Sequence, residues 1–243
     1  MPPYSAAEWL STPTKTEPMP KGPSFLFFWG HSDKSGERAC LSNFYPAPFT
    51  DTATDNSFFC SEQFFMFKKA ELFGDTDCMA AILKCKEPRK AKGLGRAVRK
   101  FDDAVFAAHA QSFMEEACWL KFSQNEWMKD YLLGTGKKRL AEASPYDARW
   151  GIGMSEEDAM HLEEADWPGE NWLGIVLERV RGRLLLQGEE AEEGEEAEEE
   201  HGDGDAAAGP TPLARASSDE YGKGASAYTE EDMVEWKRIA VSA

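Results

Sequence analysis

The sequence has no CxxC pair, no HExxH helix motif, no GxSxG elbow and no apolar run near the ~18 residues of a membrane span. Each absence removes a class. Five cysteines, at 40, 60, 78, 85 and 118, are an odd number without paired spacing. That argues against a disulfide framework or a zinc ribbon and for a reducing compartment. The four histidines, at 31, 109, 161 and 201, show no metal-binding spacing. The first residues lack the apolar h-region of a secretory signal. Neither the dinucleotide fingerprint nor the P-loop pattern occurs. A basic stripe of the kind nucleic-acid-binding modules carry is approached only over residues 84–100, "KCKEPRKAKGLGRAVRK". These absences predict a protein of cytoplasm or nucleus that contacts no membrane and needs neither metal nor cofactor.

What is present divides the chain unevenly. From Gly188 onward there are 17 Asp and Glu against 4 Lys and Arg, so −13 of the formal net charge of −17 lies there. The preceding part is only mildly acidic, and most of the eight tryptophans lie in it. With its many phenylalanines it can build a sizeable core. The expected organisation is a Pro/Ser/Thr-rich flexible arm over residues 1–23, one catalytic domain over 24–187, an acidic disordered linker over 188–228, and a short amphipathic helix over 229–243 with a Thr229 cap.

Within the domain, "FLFFWG" has the apolar continuity of a buried strand. "SFFC" predicts a second short strand, and Ser61 a cap for the following helix. "DCMAAILKCK", residues 102–122 and "NEWMKDYLLGTG" predict helices, the last closed by Gly134 and Gly136. "EPRKAKGLGR" predicts a helix start at Pro88 that two glycines interrupt. "KRLAEAS" alternates like a strand, and a loop over 167–171 precedes a final helix. The fold class is mainly α, or α+β with a few short strands, in a single compact domain.

Four groups of residues suggest chemistry. Glu62 and Lys69 lie seven residues apart in "SEQFFMFKKAELF", near two helical turns, and so on one face. The plain alternative is a dipole-favoured Glu at a helix start and a surface Lys. In "GLGR", Gly93 and Gly95 can let backbone approach a phosphate that Arg96 binds, or they can simply break a helix. In "SPYDARWGIG", Asp147 beside Trp150, Gly151 and Gly153 suits a sugar or nucleobase site, or a turn. In "LSNFYPAPF", Ser42, Asn43 and Phe44 can frame a ligand, or form an Asx turn before Pro46.

Taken in order, "FWG", "LSNFYPAPF", "SEQFFMFKKA", "AKGLGR", "KFSQN", "LLGTG", "EASPYDARWGIG" and "WPGENWLG" resemble the NADAR, or YbiA-like, family over roughly residues 24–187. The resemblance implies a compact, mostly helical enzyme that cleaves N-glycosidic bonds. The substrate class it implies first is ADP-ribosylated guanine in DNA, RNA or nucleotides, with release of ADP-ribose. Two alternatives stand beside it. One is hydrolysis of the ribosylamino-pyrimidine phosphates of riboflavin synthesis; the other is an inactive ADP-ribose-binding module. Carried onto this chain, the resemblance implies Glu62, Lys69 and Asp147 as catalytic residues. Where many relatives have a tryptophan after an "FD" motif, this chain has Phe106, which can stack on a ligand but not donate to it. Ser42, Asn43, Phe44, Gly95, Arg96, Phe106, Trp150, Gly151 and Gly153 are the expected substrate-binding set. Two routes suit such a bond. A carboxylate can stabilise oxocarbenium character at the anomeric carbon, or a neutral Lys69 can displace the base nitrogen as a Schiff base while Glu62 moves protons.

Overall fold

The computed structural model describes residues 24–199. The expected N-terminal arm, most of the acidic linker and the C-terminal helix over 229–243 lie outside the described residues.

Within 24–199 the fold is mainly helical with four short strands. Strand β1 (Phe25–Phe28) pairs in parallel with β4 (Arg139–Glu142), in the register Phe25↔Arg139 to Phe28↔Glu142. Strands β2 (Phe49–Asp51) and β3 (Asn56–Phe58) form an antiparallel hairpin with Phe49 opposite Phe58. Its turn is closed by Asp51, whose carboxyl accepts from the Ala53 N–H and the Thr54 hydroxyl. Between the hairpin and β4 run five helices: α1 (Ser61–Leu72), α2 (Thr76–Leu83), α3 (Pro88–Arg96), α4 (Asp103–Gln124) and α5 (Glu126–Gly134). A short α6 (Glu156–Ala159) and the long α7 (Trp172–Glu199) follow β4.

Helix α1 is the hub, packed by α2, α3 and α4. Residues 61–67 are all buried, which a helix tolerates only at the centre of a domain. Its start is not capped by Ser61, as the sequence leads one to expect. Cys60 is the capping position and Ser61 is already helical. Gln63 braces the chain just before it: its Oε1 accepts from the Phe59 N–H, while Nε2 donates to the carbonyls of Ile82 and Cys85. One side chain thus ties the approach to α1 to the end of α2.

The parallel pair is buried on both faces, as parallel strands require. Phe28 and Leu140 enter the main core. Phe27 and Ala141 enter a smaller cluster with Ile152 and Trp167. On its side away from β1, β4 has no further strand among the described residues. Side chains complete its ladder instead. The Leu140 N–H donates to Glu178, the Glu142 N–H donates to Asn171 Oδ1, and Asn171 Nδ2 donates to the Leu140 carbonyl. Asn171 holds a left-handed backbone, φ 52°, just before α7. Asn is among the few non-glycine residues that adopt it readily.

One further expectation is corrected. Helix α3 runs unbroken from Pro88 to Arg96, so Gly93 and Gly95 do not interrupt it. The last helix, α7, runs to Glu199. Ala and Glu propagate a helix well once a packed segment has nucleated it.

The two glycines of α3 should answer substitution with opposite signs. A Cβ on Gly93 meets nothing within 4 Å, whereas one on Gly95 falls within 2.0 Å of Met66 Sδ. Gly93→Ala is expected to stabilise by about 0.5–1 kcal/mol, and Gly95→Ala to destabilise by about 1–3 kcal/mol. Urea denaturation of both variants checks this; equal responses would contradict the packing described.

Candidate active site

Because β1 and β4 run in parallel and in register, their C-terminal ends open at the same place. A cleft forms there, as it does at the carboxyl ends of strands in open sheets generally. Trp29 and Gly30 enter it from the end of β1. Glu142, Ser144, Tyr146, Asp147 and Trp150 enter from the end of β4 and the loop beyond. Glu62, Phe65 and Met66 come from α1, Lys92 from α3, and Ser42, Asn43 and Phe44 from the loop before the hairpin.

Glu62 lies deepest, at 2% exposure. Its Oε2 accepts from Asn43 Nδ2 at 2.7 Å, and its own N–H donates to the Asn43 carbonyl at 2.9 Å. Oε1 is buried with no hydrogen-bond partner. Burial pushes the Glu62 carboxyl above the ordinary range, and Asp147 adds to this; Lys92, Asn43 and Arg96 pull the other way. Asn43 is held from below by another buried charge. Lys121, fully buried, donates its amine to the carbonyls of Cys40 at 2.5 Å and Ser42 at 2.9 Å. Burial pulls this amine's pKa down. The chain leading into Asn43 is therefore pinned from inside the core.

Glu142 lines the same cleft from the end of β4. Its backbone is fixed on both sides, by Asn171 at its N–H and by Ile152 and Ser144, which donate to its carbonyl. The carboxyl, enclosed except toward the cleft, is pushed from 4.5 to about 8, first by burial and then by Asp147 and Glu62, with Lys92 opposing. Asp147 both lines the cleft and closes a turn: its Oδ1 accepts from the N–H groups of Arg149 and Trp150. The turn reading of Asp147 thus holds, and the same residue reaches the cleft. Behind Phe44, His31 packs ring to ring at 5.5 Å, and burial with the nearby Arg89 lowers its pKa to about 4.

Of the residues singled out in the sequence, the cleft brings together Ser42, Asn43, Phe44, Glu62, Asp147 and Trp150. The others lie elsewhere. Lys69 is half-buried, with its amine 3.9 Å from the centre of the Phe101 ring and 5.0 Å from that of Phe106. Seven helical residues span about 10 Å of rise, so a shared face does not place two groups at one centre. Burial lowers the pKa of Lys69, as surrounding aromatics would, but its amine is not on the cleft wall. Phe106 packs on Phe65 at 5.4 Å and on Phe101 at 5.9 Å, one layer behind the cleft. Arg96 is exposed at the end of α3, and Gly95 is packed under Met66. Gly151 and Gly153 do permit close backbone approach, but to the protein itself. A Cβ on Gly151 would meet the Glu142 and Asp147 carbonyls, and one on Gly153 the ring of Pro168.

Lys92 and Glu142 were not singled out. Reading the glycines as a helix break hid the register that carries Lys92 inward from α3. Glu142 ends the predicted strand "KRLAEAS"; a carboxylate at the C-terminal end of a buried strand was the available signal. Among the described residues no three or more His, Cys, Asp or Glu side chains are drawn together as a metal-ligand set, and no helix is long and apolar enough to cross a membrane.

A buried acid with one unpartnered oxygen lines a single cleft with two further carboxyls and several aromatic rings, a concave setting of the kind in which ligand sites are built. Comparison with known proteins gives the family. The sequence model described as NADAR domain matches residues 27–185, and the chain belongs to this family. It is 40% identical over 168 residues to Protein irg-1 of Caenorhabditis elegans, covering 63% of this chain and 79% of that protein. It is 37% identical over 160 residues to N-glycosidase R617 of Acanthamoeba polyphaga mimivirus, covering 65% of this chain and 94% of that one. Among solved structures, the NMR structure of the E. coli protein YbiA matches with a TM-score of 0.55 at 24% identity, over 68% of this chain and 87% of that chain. That last likeness establishes the shared fold.

The raised Glu142 carboxyl has a consequence for stability. Between pH 4.5 and about 8 the folded chain retains a proton there that the unfolded chain releases. Its contribution to stability is therefore fullest below pH 4.5 and declines as pH rises to 8. Glu142→Gln removes that decline. The variant is expected to melt about 2–6 °C higher than the wild type at pH 8, with the gain shrinking toward pH 5. Thermal melts at both pH values test it; a gain that grows toward acid would overturn the assignment.

Proposed function

We propose that this protein is an N-glycosidase that hydrolyses the ribose–nitrogen bond of ADP-ribosylated guanine, releasing ADP-ribose and restoring guanine. The observation that carries the reading is the buried Glu62 carboxyl, with Oε1 unpartnered beside the cleft. Family membership and the name of the mimiviral relative support the glycosidase class. The substrate is the finer part of the proposal and rests on the family resemblance.

Breaking a ribose–nitrogen bond builds positive charge on the anomeric carbon. An ionised carboxylate close to that carbon lowers the barrier most where water is excluded. Glu62 supplies the carboxyl, and Asn43, Lys92 and Arg96 favour its charged form against burial. Asn43 fixes one of its oxygens and leaves the other for the sugar. Phe44, Trp150 and Trp29 offer ring faces to a base or ribose. Asp147 and Ser144 sit where ribose hydroxyls can be bound. Lys92 offsets part of the negative charge that Glu62, Glu142 and Asp147 bring to one place. Direct attack by water suits this arrangement better than a covalent route through Lys69, whose amine rests on Phe101 away from the cleft.

The test is incubation of the full chain with an oligonucleotide carrying ADP-ribose on guanine, followed by mass spectrometry. A ribosylamino-pyrimidine phosphate is assayed in parallel. Release of ADP-ribose is expected, falling at least ~1,000-fold in Glu62→Gln with Tm unchanged or raised. Release from the pyrimidine alone would move the protein to the riboflavin-intermediate reaction. Silence on both would leave an ADP-ribose-binding module. Borohydride added during turnover is expected to leave no mass adduct on Lys69; an adduct there would restore the covalent route.

A further inference from the structure

We infer that Glu142 is the general acid of this site, delivering a proton to the leaving nitrogen while Glu62 remains the carboxylate that faces the anomeric carbon. The inference rests on the N-glycosidase reading and assigns the proton that reading leaves open.

A nitrogen leaving as an anion from an exocyclic amine is a poor leaving group, so the bond breaks readily only if the nitrogen gains a proton as it departs. The cleft holds three carboxyls: Glu62 from the first turn of α1, Glu142 from the end of β4, and Asp147 from the loop beyond. Carboxyls that line one cleft disfavour each other's ionisation, and a proton is held best by the carboxyl whose charged form is least supported. The supports differ. Glu62 accepts the Asn43 amide at 2.7 Å and feels both Lys92 and Arg96, which oppose the burial and the Asp147 charge that raise its pKa. Asp147 accepts two backbone N–H groups. The Glu142 carboxyl meets no hydrogen-bond donor among the described residues. The charged groups around it are Asp147 and Glu62, which disfavour its ionisation, and Lys92, which favours it. Its titration, displaced to about 8, leaves it largely protonated at pH 7.

Position agrees with the role. The Glu142 backbone is locked by Asn171, Ile152 and Ser144, so the carboxyl is presented from a rigid strand end and not from a mobile loop. Glu62 and Glu142 come from different elements and line one cleft, which suits two carboxyls acting on one bond. The step balances simply. As the C1′–N bond breaks, its electron pair passes to nitrogen, which takes the Glu142 proton. Water adds to C1′ and gives its proton to the Glu62 carboxylate. Both carboxyls then return to their starting states by exchange with solvent.

The experiment measures kcat and KM from pH 5 to 9.5 on the ADP-ribosyl-guanine oligonucleotide for the wild type, Glu142→Gln, Glu142→Asp and Glu62→Gln. In parallel, ¹³C NMR titrates the glutamate carboxyls of the full ligand-free chain, with Glu142→Gln identifying the resonance. The wild-type rate is expected to fall as pH rises through about 8. Glu142→Gln should lower kcat about 100-fold or more with KM within about 3-fold, and should abolish that alkaline limb. Glu142→Asp should recover at least about tenfold of the loss and keep a limb. Its recovery also shows that the loss is not a folding defect. The carboxyl resonance should titrate near 8. An alkaline limb that persists in Glu142→Gln, a kcat loss under about threefold, or a resonance midpoint below about 6 overturns the inference. A wild type that releases nothing from the oligonucleotide fails the functional reading instead, and the NMR midpoint still decides whether Glu142 stores a proton.

Discussion

Keeping a carboxyl at 2% exposure without a cation bonded to it is a demanding requirement, and the elements around Glu62 are arranged to meet it. An isolated buried carboxylate loses several kcal/mol of hydration, about the whole net stability of an ordinary domain. Here the cost is spread over several groups. The N-terminus of α1 directs its positive end at the side chain in its own first turn. Asn43 gives one short hydrogen bond, and Lys92 and Arg96 act from α3. Asn43 can do this only because Lys121 holds the carbonyls just before it. A second buried charge thus fixes the partner of the first.

The same economy governs β4. A four-residue strand with one neighbour is too short to persist alone. Asn171 and Glu178 act as a substitute strand on its far side, and α7 presses so close that Gly174 has no room for a side chain against the Leu140 carbonyl. The sheet is small because its task is small: it delivers the ends of two strands to the same mouth.

How much of this was legible in the sequence depended on the kind of signal. Long periodic helices and the apolar run of β1 stood out, because periodicity survives without knowledge of partners. Glu62, Asp147 and the 42–44 loop stood out as chemistry-bearing residues in unusual settings. Glycine was misleading. Gly93, Gly95, Gly151 and Gly153 all read as places for a ligand to approach, yet Gly95, Gly151 and Gly153 make room for the protein's own atoms. Local sequence cannot tell a phosphate from Met66 Sδ or from a carbonyl two loops away. Lys69 shows another limit. A helical face fixes direction but not depth, and its amine rests on the Phe101 and Phe106 rings and does not line the cleft. Glu142 was overlooked because a strand's last residue is exposed or buried according to which strand it pairs with, and that pairing spans most of the domain.

The Asn171 side chain, besides completing the edge of β4, closes a long excursion of chain. The chain leaves the frame at Glu142 and rejoins it at Asn171, and those two residues are hydrogen-bonded to each other. Whatever lies between them is anchored at one shared point. Tyr146, Asp147 and Trp150, which line the cleft, fall inside that bracket, and so do Ile152, Ala159 and Trp167, which pack on the strands. The same excursion of chain therefore shapes the mouth of the cleft and covers one face of the sheet that forms it.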